Sequence, residues 1–194
     1  MGGQWDITEE WYALATAYYS ETENEIQYNP LTFSNENAAD RHRREGIDVA
    51  MGWQREKVAG IRLAWSGVHA IVAEGANEGL WIAGVPRQQM NLEGKVWLWD
   101  EFSILGGYRL IGTRYAISDY ANEHERLPVE SLFRVGCRYE PTWWKLEGLS
   151  ISFTCENLFD RQYCDYAVAS AGSDALAWYP ASGRSFMLTI RYEF

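Results

Sequence analysis

Regular alternation of side chains between two faces over residues 185–194 is the feature that most constrains the fold. Successive side chains of a strand point to opposite faces, so this segment presents one apolar face and one polar face. The apolar face carries Phe186, Leu188, Ile190, Tyr192 and Phe194, and the other face, polar except for Met187, carries Ser185, Met187, Thr189, Arg191 and Glu193. A tilted strand of this length can cross a bilayer, and it can equally line the core of a soluble β-sandwich.

Composition limits the kind of membrane protein that this chain can be. Aromatic residues make up 15% of the 194 residues, and such residues favour strands and membrane interfaces. No apolar run approaches the roughly 18 residues of a transmembrane helix, so a membrane protein with this sequence would have to be a β-barrel. The formal net charge of −10 disfavours nucleic acid as a partner, because phosphate binding needs a basic patch.

The connections between the predicted strands alternate between short turns and long loops. We predict about eight strands, the first over residues 6–28 and the last over 185–194. Short turns are expected at 56–57, at 100–101 and after Pro141, and long loops at 29–40, 72–86, 119–129 and 157–183. An antiparallel transmembrane β-barrel has this alternation, because its turns lie at one end and its extracellular loops at the other.

Two sets of side chains fit the ends and the faces of such a barrel. Tryptophans near the short-turn end suggest an interfacial girdle, with strand ends of a soluble sandwich as the alternative. These are Trp5, Trp53, Trp97, Trp99, Trp143 and Trp144. Charged strand residues would be costly toward lipid and are expected in the lumen. They are Arg62, Arg134, Arg138, Arg191 and Glu193.

A motif near the C-terminus carries a resemblance to a known family. It comprises Asn157, Leu158, Phe159, Asp160 and Tyr163, followed by Tyr179-Pro180, Gly183 and Arg184 and a last strand that ends on Phe194. This order and spacing resembles the C-terminus of TonB-dependent outer-membrane receptors. The resemblance implies that these are structural or assembly positions, and that the barrel-assembly machinery reads the terminal phenylalanine.

The resemblance also implies a fold, a function and partners. The family builds a barrel of about 22 strands around a plug, and it imports iron-siderophore or similar scarce metal complexes across the outer membrane of Gram-negative bacteria. Residues 1–194 would then be the C-terminal barrel segment without its plug, and TonB would act only through that missing plug. Outer-membrane lipids and lipopolysaccharide would surround the barrel. The start of the chain shows no signal peptide, so either the chain is the C-terminal piece of a longer receptor or the interpretation as an exported protein is wrong.

Three other interpretations remain open from the sequence. A self-contained eight-stranded barrel would serve adhesion or envelope integrity. A soluble binding barrel would need a polar outer face, which the last strand argues against. An outer-membrane lipid enzyme lacks a suitable serine–histidine arrangement, because Ser66 and His69 would lie on opposite faces of one strand. We therefore expect no enzyme activity, no catalytic residues and no cofactor.

Candidate ligand contacts lie in the long loops. The aromatic residues Phe33, Trp81, Tyr120, Trp178 and Tyr179 could stack on a metal chelate or pack the loops together. The loops carry ten acidic residues: Glu36, Asp40, Glu74, Glu78, Asp119, Glu123, Glu125, Asp160, Asp165 and Asp174. They carry the three basic residues Arg41, Arg126 and Arg161, so we hypothesise that this face favours cationic or neutral ligands. Solubility and lipopolysaccharide contact would explain the charge equally well.

Metal binding by the protein itself is not expected. His42 and His124 are interpreted as solvated loop histidines, and Cys137, Cys155 and Cys164 show no zinc-ligand spacing. A hairpin turn over 140–145 would place Cys137 about 20 Å from Cys155 at the usual rise per residue, too far for a disulfide.

Overall fold

The structure is an all-β fold built around one large antiparallel sheet. The computed structural model describes residues 1–29, 32–143, 148–169 and 175–193. Its strands are β1 (Gly2–Asp6), β2 (Trp11–Thr22), β3 (Ile26–Asn29), β4 (Ser34–Asn37), β5 (Arg41–Arg55), β6 (Ala59–Glu74), β7 (Gln88–Trp99), β8 (Phe102–Ile111), β9 (Glu130–Tyr139), β10 (Leu149–Glu156), β11 (Cys164–Ala169), β12 (Leu176–Pro180) and β13 (Ser185–Tyr192). In these ranges, no helix has the length and apolar character needed to span a membrane.

Nine strands form the large sheet, in the order β1-β2-β5-β6-β7-β8-β9-β10-β13. Separate two-stranded sheets, β3–β4 and β11–β12, lie in connections of this sheet. The predicted fold class, an all-β antiparallel barrel, is confirmed. The nine strands form a wall of such a barrel, and this wall is not closed within the described residues. With nine antiparallel strands, β1 and β13 run in the same direction, so joining them would create a parallel pair in an otherwise antiparallel wall.

The large sheet has one strand more than the expected eight because β1 (Gly2–Asp6) lies before the predicted first strand, and a turn separates β1 from β2. The hydroxyl of Thr8 accepts hydrogen bonds from the backbone N–H groups of Glu10 and Trp11, at 3.2 and 3.1 Å. Side-chain acceptors of this kind stabilise turns, and this one reverses the chain between β1 and β2. The predicted strand over 102–118 also ends early, at Ile111.

The register of the sheet assigns each side chain to one of two faces. Directly paired residues share a face, so Arg62, Glu93, Gly107 and Arg134 form one row across β6 to β9. We call this face the polar face. The charged residues predicted to share the lumen, Arg62, Arg134, Arg138, Arg191 and Glu193, all lie on it by register and alternation.

The opposite face, which we call the apolar face, is an exposed hydrophobic surface. Rows that cross it contain Trp11, Trp53 and Ile61, then Ala13, Met51, Leu63, Leu92, Tyr108 and Phe133, then Val49, Trp65 and Met90. Many side chains of this face are exposed, including Ile61 at 46% and, in the next row, Ile47 at 51%. An apolar patch of this extent indicates contact with a membrane or a partner protein.

A glycine allows one ion pair to cross a strand on the polar face. The side chain of Arg134 on β9 passes over Gly107 on β8 and pairs with Glu93 on β7. A Cβ atom at Gly107 would collide with the Arg134 side chain, whereas one at the neighbouring Gly106 would meet no atom within 4 Å. Because both side chains are about half exposed, the ion pair contributes little to stability. Its main effect is to fix the positions of these two side chains on the polar face.

The tryptophan girdle is only partly as expected. Trp5, Trp53 and Trp99 lie on the apolar face near the short turns. Trp97 lies on the polar face instead, where the Lys95 ammonium sits 4.1 Å from the centroid of its ring. A register shift between Trp97 and Trp99 places the two rings on opposite faces. Trp144 lies outside the described residues.

The predicted distance between two cysteines is wrong. Cys137 pairs with Phe153 and Cys155 with Val135, so the two thiols are diagonal neighbours on the apolar face instead of about 20 Å apart. The connection from β9 to β10 extends over 140–148, longer than the turn we expected, and this changes the register. All three cysteines are free thiols.

Candidate functional site

Four long loops at one end of the sheet form the candidate functional site. We name them L1 (23–40), L2 (75–87), L3 (112–129) and L4 (157–184); L1 contains the β3–β4 hairpin and L4 the β11–β12 hairpin. Two buried apolar clusters lie at their bases, one formed by Ala70, Trp81 and Ile82 and one by Ala116, Leu127 and Ala167. The second cluster joins L3 to L4, so these loops pack against each other.

L3 is joined to L2 through the side-chain amide of Asn122. Its Oδ1 accepts the backbone N–H of Trp81 at 2.8 Å, and its Nδ2 donates to the Trp81 carbonyl at 2.9 Å. The amide therefore binds L2 as a neighbouring strand would. Asn122 has a φ of 54°, a left-handed conformation that asparagine tolerates better than most residues.

L3 is joined to L4 through backbone hydrogen bonds. Ile117 donates to the carbonyl of Ala167 at 2.8 Å and accepts from the N–H of Ala169 at 3.0 Å. The hydroxyl of Ser118 donates to the Ala169 carbonyl at 2.9 Å. These bonds form a short parallel bridge between L3 and β11.

L3 is joined to L1 through Tyr120, whose hydroxyl donates to the carbonyl of Tyr28 at 2.8 Å. Burial raises the pKa of the Tyr120 phenol, the hydrogen bond to Tyr28 lowers it and the charge of Glu25 raises it, with a net upward shift. The phenol therefore stays a donor at physiological pH. Residues 117–122, which we call the central segment, thus contact all three other loops.

A buried histidine fixes the base of L1. The side chain of His42 is 1% exposed, its Nδ1 lies 2.6 Å from Glu25 Oε2, and its Nε2 lies 3.2 Å from Gln27 Nε2. Arg44 donates two hydrogen bonds to the same carboxylate, at 2.7 and 2.8 Å. Burial acts to raise the pKa of Glu25, but the hydrogen bonds from Arg44 and His42 lower it below its ordinary value.

The interpretation of the loop histidines as solvated side chains is wrong. His42 is buried at the start of β5, and His124 is mostly buried with its Nδ1 3.3 Å from Asp119 Oδ1. Both lie beside carboxylates that give them structural roles. Within the described ranges, no group of three or more histidine, cysteine or acidic residues could hold a metal ion.

Several of the loop carboxylates are used within the protein. Asp40 accepts from the N–H of Ala76, Asp119 from those of Glu123 and His124, and Asp160 from that of Arg184. Glu36 accepts hydrogen bonds from Thr32, Asn29 and Ser34, which hold its pKa below the ordinary value. Asp174 lies outside the described residues. These carboxylates therefore hold loop backbone in place in addition to contributing negative charge.

The aromatic candidates in the loops differ in accessibility. Trp81 is 7% exposed, since His69 and the guanidinium of Arg87 lie near its ring, and it therefore packs the loops instead of facing a ligand. Tyr120 is half-buried and bonded to L1. Phe33, at the β3–β4 turn, is 80% exposed, and Trp178 on β12 is 48% exposed. These last two remain candidates for ligand contact.

From the sequence we single out Tyr179 in L4 but miss Tyr166 and the exposed pair that the two tyrosines form. Tyr166 and Tyr179 pair across the β11–β12 hairpin, with ring centroids 4.4 Å apart and an interplanar angle of 16°. The opposite face of the hairpin carries Ala167 and Ala169, which are buried. The β alternation of these short strands was a usable signal, but we interpreted the whole of 157–183 as a loop.

The C-terminal motif forms a hydrogen-bonded clip between β10 and β13. Asn157 accepts the N–H of Arg161 at 2.9 Å and donates to its carbonyl at 2.8 Å, which closes the turn after β10. Asp160 accepts the N–H of Arg184 at 2.8 Å, at the entry to β13. A Cβ atom at Gly183 would lie 3.0 Å from the Asp160 carboxylate, so a glycine leaves room for this contact.

The other motif residues complete the clip. The N–H of Leu158 donates to Phe133 on β9 at 2.8 Å, and the ring of Phe159 packs edge-on against the ring of Phe133. The carbonyl of Tyr163 accepts the N–H of Ala181 at 3.0 Å. Phe194 lies outside the described residues, so its predicted role in assembly stays a prediction.

The comparisons with known proteins agree with this geometry. Residues 3–158 match the family described as TonB dependent receptor-like, beta-barrel. The fold resembles the siderophore receptor PiuA from Acinetobacter baumannii, with a TM-score of 0.76, 17% identity and coverage of 98% of this chain and 27% of that chain. It also resembles the ferric yersiniabactin receptor FyuA from Yersinia pestis, with a TM-score of 0.77, 17% identity and coverage of 96% and 28%.

A third solved structure has a similar fold. The ferric citrate transporter FecA matches with a TM-score of 0.79 and 16% identity, over 100% of this chain and 30% of that chain. No curated protein sequence matches the chain. The chain spans less than a third of the length of each of these three structures. Because the family match covers most of its length, the chain belongs to the TonB-dependent receptor β-barrel family.

Proposed function

We propose that residues 1–194 form the C-terminal barrel segment of an outer-membrane receptor that imports an iron-siderophore or a similar metal complex. The observation that carries this proposal is the family match over residues 3–158, on a wall with one apolar face and one polar face. The apolar face would contact outer-membrane lipid and lipopolysaccharide, and the polar face would line the lumen.

The loop layer would supply contacts to the metal complex on the outside of the cell. L1 and L4 present the exposed aromatic side chains of Phe33, Trp178, Tyr166 and Tyr179, which suit the rings or apolar arms of a chelator. The plug and its contact with TonB would lie in the part of a full receptor to which this chain does not correspond. The barrel-assembly machinery would recognise the last strand. The segment would bind and guide its cargo without chemical change, as a transport protein and not as an enzyme.

The self-contained eight-stranded barrel is less well supported. The sheet has nine strands in a single open wall, with β1 and β13 at opposite edges. Each of the three solved receptors compared above is more than three times as long as the matched region. An adhesion role has no separate observation in its favour.

Uptake of radioactive iron tests the proposal. The gene is deleted in the parent bacterium, and cells under iron limitation receive ferric complexes of a catecholate, a hydroxamate or citrate. We expect uptake of at least one complex to fall to the level of passive entry and to return on complementation. A deletion that leaves uptake of all three unchanged, although the wild-type protein is present in the outer membrane, would overturn the proposal for these cargoes.

A further inference from the structure

A cavity of about 570 Å³ lies under the β11–β12 hairpin, between the base of L4 and the end of L3. Its lining has an apolar part, formed by Pro128, Val129, Trp178, Pro180 and Ala181. Charged and polar residues complete the lining. Pockets that bind small molecules combine apolar walls with a few polar groups in this way, so the cavity has the composition of a site for a small organic group.

The register of the hairpin turns Trp178 toward this cavity. Trp178 pairs with Ala167, and direct partners share a face of a hairpin. Ala167 is buried against Ala116 and Leu127 of L3, so the Trp178 ring lies on the L3 side. The ring is about half exposed, and among the described residues no cation lies over it. An indole face is the best aromatic partner for a cation, and this one is open to a ligand.

Glu130 contributes a buried carboxylate with one oxygen that lacks a hydrogen bond. The residue is 4% exposed, and Arg114 donates to its Oε1. No described residue donates to its Oε2, because the nearby Arg109 Nη2 is 3.8 Å away, beyond hydrogen-bond distance. A buried acceptor without a donor is costly, so a ligand that brings a donor to this oxygen would be stabilised.

Asp160 contributes a second carboxylate to the lining. Its Oδ1 accepts the N–H of Arg184, and no described residue donates to its Oδ2. Arg161 also lines the cavity, but its guanidinium donates to the carbonyls of Val129 and Ser131, at 3.1 and 3.4 Å. The cavity therefore combines an open indole face with two carboxylates that each keep an oxygen without a donor.

We propose that this cavity binds an organic cation, namely an alkylammonium group on an arm of the imported complex. The positive charge lies against the Trp178 ring and beside the Asp160 carboxylate, and the apolar part of the arm contacts Pro128 and Pro180. An ammonium N–H supplies the hydrogen bond that Glu130 Oε2 lacks. The inference deepens the proposed function, and it rests on that function only for the identity of the molecule that carries the cation.

Choline and its uncharged isostere 3,3-dimethyl-1-butanol test the proposal, because they share a shape and differ in charge. Saturation-transfer NMR of the receptor, purified from its own outer membrane in mild detergent, measures the binding of each compound through its methyl signal. We expect choline to bind roughly tenfold more tightly than the isostere. Equal affinities would overturn the proposal, since the receptor would then select for shape alone.

Two variants test whether the binding occurs in this cavity. Trp178→Leu keeps an apolar side chain and removes the indole, whereas Asp160→Asn removes the charge and keeps an acceptor for the Arg184 N–H. Each variant should lower the affinity for choline roughly fivefold and change that for the neutral isostere less. Wild-type affinity for choline in both variants would overturn the proposal.

Matched controls change the same residue types outside the cavity. Trp143→Leu removes a similarly exposed indole at the short-turn end of the sheet. Asp165→Asn removes an acidic charge of L4 at a position that does not line the cavity. Both controls should bind choline as the wild type does. An equal loss in Asp165→Asn and Asp160→Asn would overturn the proposal, because a general negative field would then attract the cation.

The iron-uptake experiment described above separates this inference from the proposed function. Selective choline binding by a receptor whose deletion leaves uptake of all three ferric complexes unchanged would contradict those cargoes and support the cation site. Uptake that depends on the receptor, without selective choline binding, would overturn the cation site and support the proposed function.

Discussion

Single side chains join loops that are far apart in the sequence. Asn122 binds the backbone of Trp81 in L2 through two hydrogen bonds, and Tyr120 binds the carbonyl of Tyr28 in L1 across 92 positions. Each contact satisfies a backbone group that a loop would otherwise leave to water. The positions of L1 and L2 therefore depend on individual residues of the central segment.

Replacing Asn122 with alanine should release L2. The Asn122→Ala variant loses both hydrogen bonds to Trp81. It also places alanine, which lacks the polar side chain of asparagine, in the left-handed conformation at a φ of 54°. We expect a loss of about 1–3 kcal/mol in the local stability of L2. Hydrogen exchange at residues 80–82 measures it. Asn91→Ala, on the polar face of β7, is the control, and equal exchange in the two variants would contradict the role of Asn122.

Acid should release the β3–β4 hairpin. Because the folded pKa of Glu25 is lowered by Arg44 and His42, its carboxylate stabilises the base of L1 above the ordinary glutamate pKa of about 4.3. That stabilisation is lost as the pH falls below this value and through the folded pKa. Limited proteolysis at residues 32–37 should accelerate over this range. The Glu25→Gln variant should be cleaved readily at neutral pH, and its cleavage rate should depend less on pH than that of the wild type. A cleavage rate with the same pH dependence as the wild type would contradict the role of Glu25.

At the scale of elements, the C-terminal motif sets how β13 enters the sheet. Asp160 has a φ of 53° and bonds the N–H of Arg184, while the Arg184 guanidinium reaches the carbonyl of Leu158 at 3.4 Å. The turn after β10 is thereby tied to the first residues of β13. The motif thus determines where the pairing of Glu156 with Ser185 begins.

Asp160→Ala tests this clip. We expect a loss of about 1.5 kcal/mol from the hydrogen bond to Arg184, together with the strain of alanine at a positive φ. Urea unfolding in lipid vesicles measures the change. Asp160→Asn keeps an acceptor oxygen and tolerates the backbone conformation, so it should retain most of the stability. Similar losses in both variants would show that the charge, and not the hydrogen bond, is required.

The elements of the wall were predictable because each strand carries its own signal. Alternation placed Arg62 and Arg134 on one face and Trp53 and Ile61 on the other without knowledge of their partners. The loop layer was not predictable in the same way. The burial of His42 beside Glu25 and the attachment of Trp81 to Asn122 in L3 depend on contacts between distant residues, for which alternation gives no information. The turn at Thr8 was missed because its acceptor is a side chain.

At the scale of the whole molecule, an added charge should destabilise the protein when it lies on the apolar face and have little effect when it lies on the polar face. Leu92 lies in an apolar row midway along β7, and Asn91 lies next to it on the polar face. In Leu92→Arg we expect a loss of about 2–4 kcal/mol, because the guanidinium would meet hydrocarbon. Asn91→Arg, the matched variant, should change stability little. Unfolding in vesicles measures both, and equal losses would contradict the assignment of the faces.

The central segment also constrains how receptors of this kind can diversify. Residues 117–122 hold L1, L2 and L4 at once, so a substitution there alters three loops together. New specificity should therefore arise at the hairpin ends, where Phe33 and the Tyr166–Tyr179 pair are exposed and bear little of the loop packing. Across homologues with different cargoes, we expect substitutions to accumulate at those ends and the central segment to change only together with its partners.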